Sequence, residues 1–123
     1  MTYTLNYPWK KNPRLLMLIY SGSIGIEEIE MSLEEVAGLM DQSMMPLHTV
    51  FDFSGAAPDE AFFDLIMRSR MVSHEQRGHC VFLKPNEFIT FMAKVLRHET
   101  GTPVVMVDNE DDAWDFFSEM GIC

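Results

Sequence analysis

The stretch Leu47-His48-Thr49-Val50-Phe51-Asp52-Phe53-Ser54-Gly55-Ala56-Ala57-Pro58-Asp59-Glu60 decides the fold, because an apolar run passes directly into the opening of a helix. Residues 47–53 read as a buried strand, rich in β-branched and aromatic side chains and too short for a helix. Ser54, Gly55, Ala56 and Ala57 supply the turn. Pro58 then takes the first helical position, where its missing amide has no helical partner in any case. Asp59 and Glu60 suit the positive end of the helix. The same strand–turn–helix succession recurs twice before the C-terminus.

Downstream, the helix that opens at Pro58 is predicted to run over residues 58–71, and 79–84 reads as a short apolar strand. Asn86 caps a helix whose apolar stripe is Phe88, Ile89, Met92, Val95 and Leu96; Gly101 and Pro103 end it. Residues 103–107 form another buried strand, and Asp108 or Asn109 caps a last helix carrying Ala113, Phe116, Phe117 and Met120. Upstream, residues 2–7 alternate Tyr3, Leu5 and Tyr7 with polar neighbours, as in a half-exposed edge strand. Pro8 and Lys10-Lys11-Asn12-Pro13 break it, and residues 14–20 are apolar enough for a strand covered on both faces.

Residues 24–43 carry Ile26, Ile29, Leu33, Val36, Ala37 and Met40 at helical spacing. Ser32 and Glu35 are spaced as a capping box, so this helix begins either near Ile24 or at Ser32. The order is ββαβαβαβα. That alternation predicts a single α/β domain over residues 1–123, with a mostly parallel sheet and the first strand antiparallel at one edge.

A chain of 123 residues can bury a core without disulfides or metals. Its longest apolar run, residues 15–20, is too short for a bilayer span, and its first eleven residues lack the core of a signal peptide. Cys80 and Cys123 have the spacing of neither a redox nor a zinc motif. Cys80 falls in a core strand, as a small apolar filler does. A reduced, cytoplasmic setting is expected.

The net charge of −10 opposes binding to nucleic acid or anionic membranes, which demand a basic footprint. Its distribution is uneven. Residues 15–67 hold ten acidic side chains and neither lysine nor arginine. Arg68, Arg70, Arg77, Lys84, Lys94 and Arg97 then follow, joined by His74, His79 and His98. Two arrangements fit: one basic surface suited to an acidic partner or to self-association, or solvated helix faces with local ion pairs.

The element order, the segment Val50-Phe51-Asp52-Phe53-Ser54-Gly55 and the final helix Asp111-Asp112-Ala113-Trp114-Asp115-Phe116-Phe117 resemble the STAS superfamily. Within it, the chain is similar to the small stand-alone bacterial proteins described as STAS-like or SpoIIAA-like. The resemblance covers nearly the whole chain. It implies a four- to five-stranded sheet with helices packed largely on one face, and interaction in place of catalysis. Anti-anti-sigma members carry a regulatory phosphoserine at the start of the helix after this strand. Here the matching residues are Ala57, Pro58, Asp59 and Glu60, with no hydroxyl, and Ser54 sits at the strand end instead. Phosphoserine switching is therefore not expected. Ser54, Gly55 and Asp59 remain a candidate loop site, with ordinary helix capping the simpler role for Asp59.

Other motifs point to structure before chemistry. Ser21-Gly22-Ser23-Ile24-Gly25 joins a strand to a helix but lacks both the dinucleotide glycine spacing and a Walker lysine. His79 and Cys80 are strand neighbours, so their side chains diverge. His74, His79 and His98 follow no metal-ligand spacing. Asp52 and Asp108 both fall at strand C-termini, where turn and cap roles are the ordinary ones. No cofactor and no metal is assigned.

The helix from Pro58 carries two apolar rows. Phe62, Leu65, Ile66 and Ser69 face the sheet, and Phe63, Met67 and Met71 lie about 100° away. Either the second row is an interaction surface, or the helix is buried between neighbours and both rows belong to the core. The leading expectation is a noncatalytic STAS-like interaction module, acting as a homodimer or on a regulatory protein. A carrier of a small hydrophobic or lipid ligand held between subunits is the alternative. An enzyme working at the helix N-termini ranks third.

Overall fold

A computed structural model of the chain describes residues 2–9, 12–22, 25–56 and 58–122. Lys10, Lys11, Ser23, Ile24, Ala57 and Cys123, which enter the expectations above, lie outside those residues. The elements are β1 (Thr2–Asn6), β2 (Leu15–Ser21), α1 (Ile26–Asp41), β3 (Leu47–Gly55) and α2 (Glu60–Arg68). A 3₁₀ turn at Arg70–Val72 precedes β4 (Arg77–Leu83), α3 (Glu87–Thr100), β5 (Val104–Val107) and α4 (Glu110–Glu119). This is the α/β order read from the sequence.

The five strands lie side by side in chain order, β1 antiparallel to β2 and the rest parallel. Three parallel crossovers that all step the same way, with one hand, must carry their helices over one face of the sheet. α1, α2 and α3 share that face. α4 follows the last strand, crosses to no further one, and closes the opposite face.

Strand alternation divides the core accordingly. Leu16, Leu18 and Tyr20 of β2, Phe51 and Phe53 of β3, and Phe82 of β4 meet the buried ridges of α1, α2 and α3. Leu15, Met17, Val50, Val81 and Leu83 point the other way, onto Ala113 and Phe117 of α4. Trp9 and Trp114, 5.7 Å apart, edge that second layer. In the first layer the Phe62 ring stands edge-on to Tyr20, Phe51 and Phe53 at 5.6, 6.2 and 5.1 Å. Such pairs each add about 0.5–1.5 kcal/mol beyond the area they bury.

Two expectations are corrected by packing. The helix predicted over residues 58–71 begins at Glu60, with Pro58 ahead of the Asp59 cap and not in the first helical position, and it stops at Arg68, where Ser69 turns extended with ψ 155° and its hydroxyl donates to the Ile66 carbonyl at 2.7 Å. The 3₁₀ turn then tucks Met71 and Val72 inward. Phe63 (0% exposed) and Met71 are core residues, and Met67 is half-buried against the same cluster. The Phe63, Met67 and Met71 row is therefore not an open surface. α2 lies between α1 and α3, which widens its buried face beyond what a helix on a sheet alone would show.

Ser32 does not cap a helix either. α1 is continuous across it, and the buried Ser32 hydroxyl donates to the Ile29 carbonyl at 2.7 Å while sharing a hydrogen bond with the Tyr20 hydroxyl. Burial raises the Tyr20 pKa, so that phenol stays neutral and satisfied inside the core.

Phe63→Ala is expected to lower unfolding free energy by about 3–5 kcal/mol, since it removes a fully buried ring from a packed aromatic cluster. Urea denaturation followed by tryptophan fluorescence measures this; a loss below about 1 kcal/mol would contradict the burial.

Candidate functional site

The C-terminal edge of the parallel strands carries the turns from which helices start. Three of those helices open in the same way. The Asp59 carboxylate accepts the Phe62 amide at 3.0 Å, the Asn86 side chain accepts the Ile89 amide at 2.8 Å, and Asn109 accepts that of Asp112 at 2.8 Å. Each is an N-cap that satisfies an amide with no helical acceptor. Asn109, and not Asp108, caps α4, while α1 starts at Gly25 without a side-chain cap.

The sequence-derived loop residues lie on this edge. The Ser54 amide donates to the Asp52 carboxylate at 2.8 Å, which curls the end of β3. Gly55 leaves no room for a side chain, because a Cβ there would sit 2.8 Å from the Tyr20 carbonyl oxygen. Ser54, Gly55 and Asp59 thus fall within one turn, and the carboxylate of Asp59 is engaged in capping. Lys84 adopts a left-handed backbone (φ 52°) as β4 turns toward α3, and its amide donates to the Val107 carbonyl at 2.8 Å.

At the opposite end of the strands lies a cluster that the periodicity did not flag. The pairing of β3 with β4 slips between Leu47 and Thr49. At that slip His48 Nδ1 accepts the His79 amide at 2.9 Å, so the neutral His48 ring carries its proton on Nε2. The two imidazoles lie 5.4 Å apart and close to parallel, walled by Phe117 against His48 and Phe116 against His79. Gly78 is needed beneath them, since any Cβ there would collide with the His48 ring.

His48 is only 4% exposed, and its Nε2 finds no partner among the described residues. Burial, followed by the charges of His79 and Arg14, lowers its pKa to about 4; burial and Arg97 lower that of His79. Both rings therefore favour the neutral state at neutral pH. Sequence alone offered one signal for His48, a titratable residue at the start of a buried strand.

The remaining candidates separate in space. Cys80 points to the face covered by α1–α3, away from His79, and burial pushes its thiol up to about 12, which removes its nucleophilic form. His74 pairs instead with Asp41 at the end of α1, at 2.7 Å. Among the described residues no three His, Cys, Asp or Glu gather as metal ligands, and no helix is long and apolar enough to cross a membrane.

The basic stretch is divided rather than continuous. Arg70 forks between Glu34 at 2.7 Å and Asp41 at 3.1 Å, tying the segment after α2 to α1. Hydrogen bonds from Arg70, then from His74, hold the Asp41 carboxyl down at about 2. Lys94, Arg97 and His98 lie elsewhere, on the exposed side of α3.

The outer helical surface also carries large apolar side chains. Met31 on α1 is 60% exposed and Phe91 on α3 is 63% exposed. At 100° per residue, Met31 lies opposite the ridge of Ile29, Leu33, Val36 and Met40. Phe91 lies away from the ridge of Ile89, Met92 and Leu96. Phe88, expected in that buried stripe, sits at its margin. It contacts Phe63 and borders a shallow depression with Pro58, Asp59, Glu60 and Ala61. No protein-family model, curated protein or solved structure matches this chain.

The histidine pair links stability to pH. The unfolded chain takes up a proton at His48 near pH 6.5 and the folded chain only near pH 4, so the unfolded state binds more protons between those values. Stability is fully present above pH 6.5 and falls by about 2 kcal/mol toward pH 4, allowing for solvent screening at the open side of the pair. His48→Phe should flatten that part of the urea-midpoint profile and cost about 1–3 kcal/mol at pH 7 by stranding the His79 amide. An unchanged slope would remove His48 from this role.

Proposed function

We propose that this chain is a noncatalytic, STAS-like protein-interaction module whose outer helical layer is its working surface and whose first partner is a second copy of itself. The observation that carries the reading is the exposure of Met31 and Phe91 on the outward sides of two helices in one layer. Single exposed apolar residues are ordinary. Here, however, the two belong to the classes that fit interface centres: phenylalanine as a rigid anchor and methionine as an adaptable one.

The segment Asp52-Phe53-Ser54-Gly55 supports the family resemblance at the strand end, and the first turn of α2 sets this chain apart from phosphoserine-switched members. Asp59 stands there with its carboxylate on the Phe62 amide, so docking over this layer is constitutive in the proposed reading. A regulatory protein would use the same surface, in competition with the second copy.

The paired substitution Met31→Ser and Phe91→Ser tests this. Sedimentation velocity at tens of micromolar should show a wild-type dimer and a variant of half that mass with an unchanged urea midpoint, since neither side chain supports the core. Identical assembly of the two proteins would overturn the reading.

A further inference from the structure

The N-terminal edge of the parallel strands gathers positive charge that no carboxylate of the chain meets. Arg14 leads into β2, and its carbonyl accepts the His48 amide at 2.8 Å. His48 and His79 follow on β3 and β4, with ring centroids 5.4 Å apart. Arg77, two residues before His79, reaches the end of α3, its Nη2 lying 4.0 Å from where a Cβ on Gly101 would stand. Gly101 closes α3 by donating its amide to the Arg97 carbonyl at 2.9 Å. These contacts run from Arg14 through both imidazoles and Arg77 to the last turn of α3, which carries Arg97.

The cluster lacks its counter-charge. The chain has 19 acidic side chains, yet among the described residues Arg14, Arg77 and Arg97 form no salt bridge. Glu75, Glu99 and Glu119, on neighbouring segments, stay exposed and unpaired with them. From α4 the rings of His48 and His79 meet Phe117 and Phe116, neither of them charged. The charges that act on His48 are those of His79 and Arg14, and the one that acts on His79 is that of Arg97. Donors are left over as well. Arg77 Nη1 reaches the His74 carbonyl at 3.0 Å, whereas the side chains of Arg14 and Arg97 make no hydrogen bond among the described residues.

We propose that this edge binds a phosphate group, held by the guanidinium groups of Arg14 and Arg97 and by the half-buried His79 ring, with buried His48 as the floor. A guanidinium presents paired N–H donors that match two phosphate oxygens, and a dianion offsets two cations where a carboxylate offsets one. Neighbouring strands lie about 4.8 Å apart, so β2 and β4 are separated by roughly 10 Å, and one anion between them is within reach of both sides. The group is held free or as the end of a small phosphate monoester. By linkage, a bound dianion favours the protonated His79 ring, against the lowering that burial and Arg97 impose.

This site does not depend on the interaction reading, since neither Met31 nor Phe91 belongs to it. Amide and imidazole NMR signals recorded in rising inorganic phosphate, against sodium chloride of equal ionic strength, test it. Saturable shifts centred on Arg14, His79 and Arg97 are expected at millimolar phosphate. The midpoint of the His79 ring titration should stand at least about 0.5 pH higher in saturating phosphate. Arg97→Gln, at an exposed position, should weaken binding at least about tenfold. Lys84→Gln removes the same charge at the opposite edge and should weaken it less than about twofold. Methyl phosphate that binds as tightly as inorganic phosphate marks a monoester as the ligand, and much weaker binding marks the free ion. Equal shifts in chloride, equal losses in the two variants, or no saturable shift would overturn the site.

Discussion

β3 has a parallel neighbour on each side and a helical layer on each face, and the rest of the molecule is arranged to keep it dry. Leu47, Val50, Phe51 and Phe53 cannot all be buried by one layer, because successive side chains point to opposite faces. Parallel pairing also forces each strand to be followed by a return over the sheet. With every step in the same direction, those returns accumulate on one side, and α4 must serve alone on the other. The three-to-one distribution of helices is thus a consequence of strand order.

That distribution explains where aromatic residues are spent. The crowded side is built from rings contributed by β2, β3, β4 and α2, with Phe62 set edge-on among Tyr20, Phe51 and Phe53. The α4 side has one helix to cover the same sheet, and Trp9, Trp114, Phe116 and Phe117 extend its reach. The His48–His79 pair sits on this thinner side, at the slip in the β3–β4 ladder. An imidazole there does what an apolar side chain could not: it accepts the His79 amide while packing against phenylalanine. The cost is a ring that must stay neutral.

Charge on the surface follows a similar division. Arg70 and His74 are drawn into the acidic end of α1, where they lock the segment after α2 in place. Such exposed pairs contribute little stability each, but they remove two basic groups from any patch. The basic side chains left on α3 therefore stand apart from the acidic ones on α1, with α2 between them.

Strand runs, helix periods and cap residues are local signals, and they were sufficient for the order ββαβαβαβα, the antiparallel edge strand and the caps at Asp59 and Asn86. They were sufficient too for the divergence of His79 from Cys80, which strand alternation alone requires. Periodicity describes the faces of one helix and is silent about what lies beside it. Phe63 and Met71 therefore looked available as a surface, until α1 and α3 closed on α2 from both sides. Ser32 and Glu35 have cap spacing, but only the contact with Tyr20 shows that Ser32 is buried in the core. His48 acquired its role from a register slip that neither strand encodes by itself. Local sequence determined which elements exist and how each begins. Tertiary packing alone decided which of their faces remain in water, because burial depends on neighbours distant in the chain.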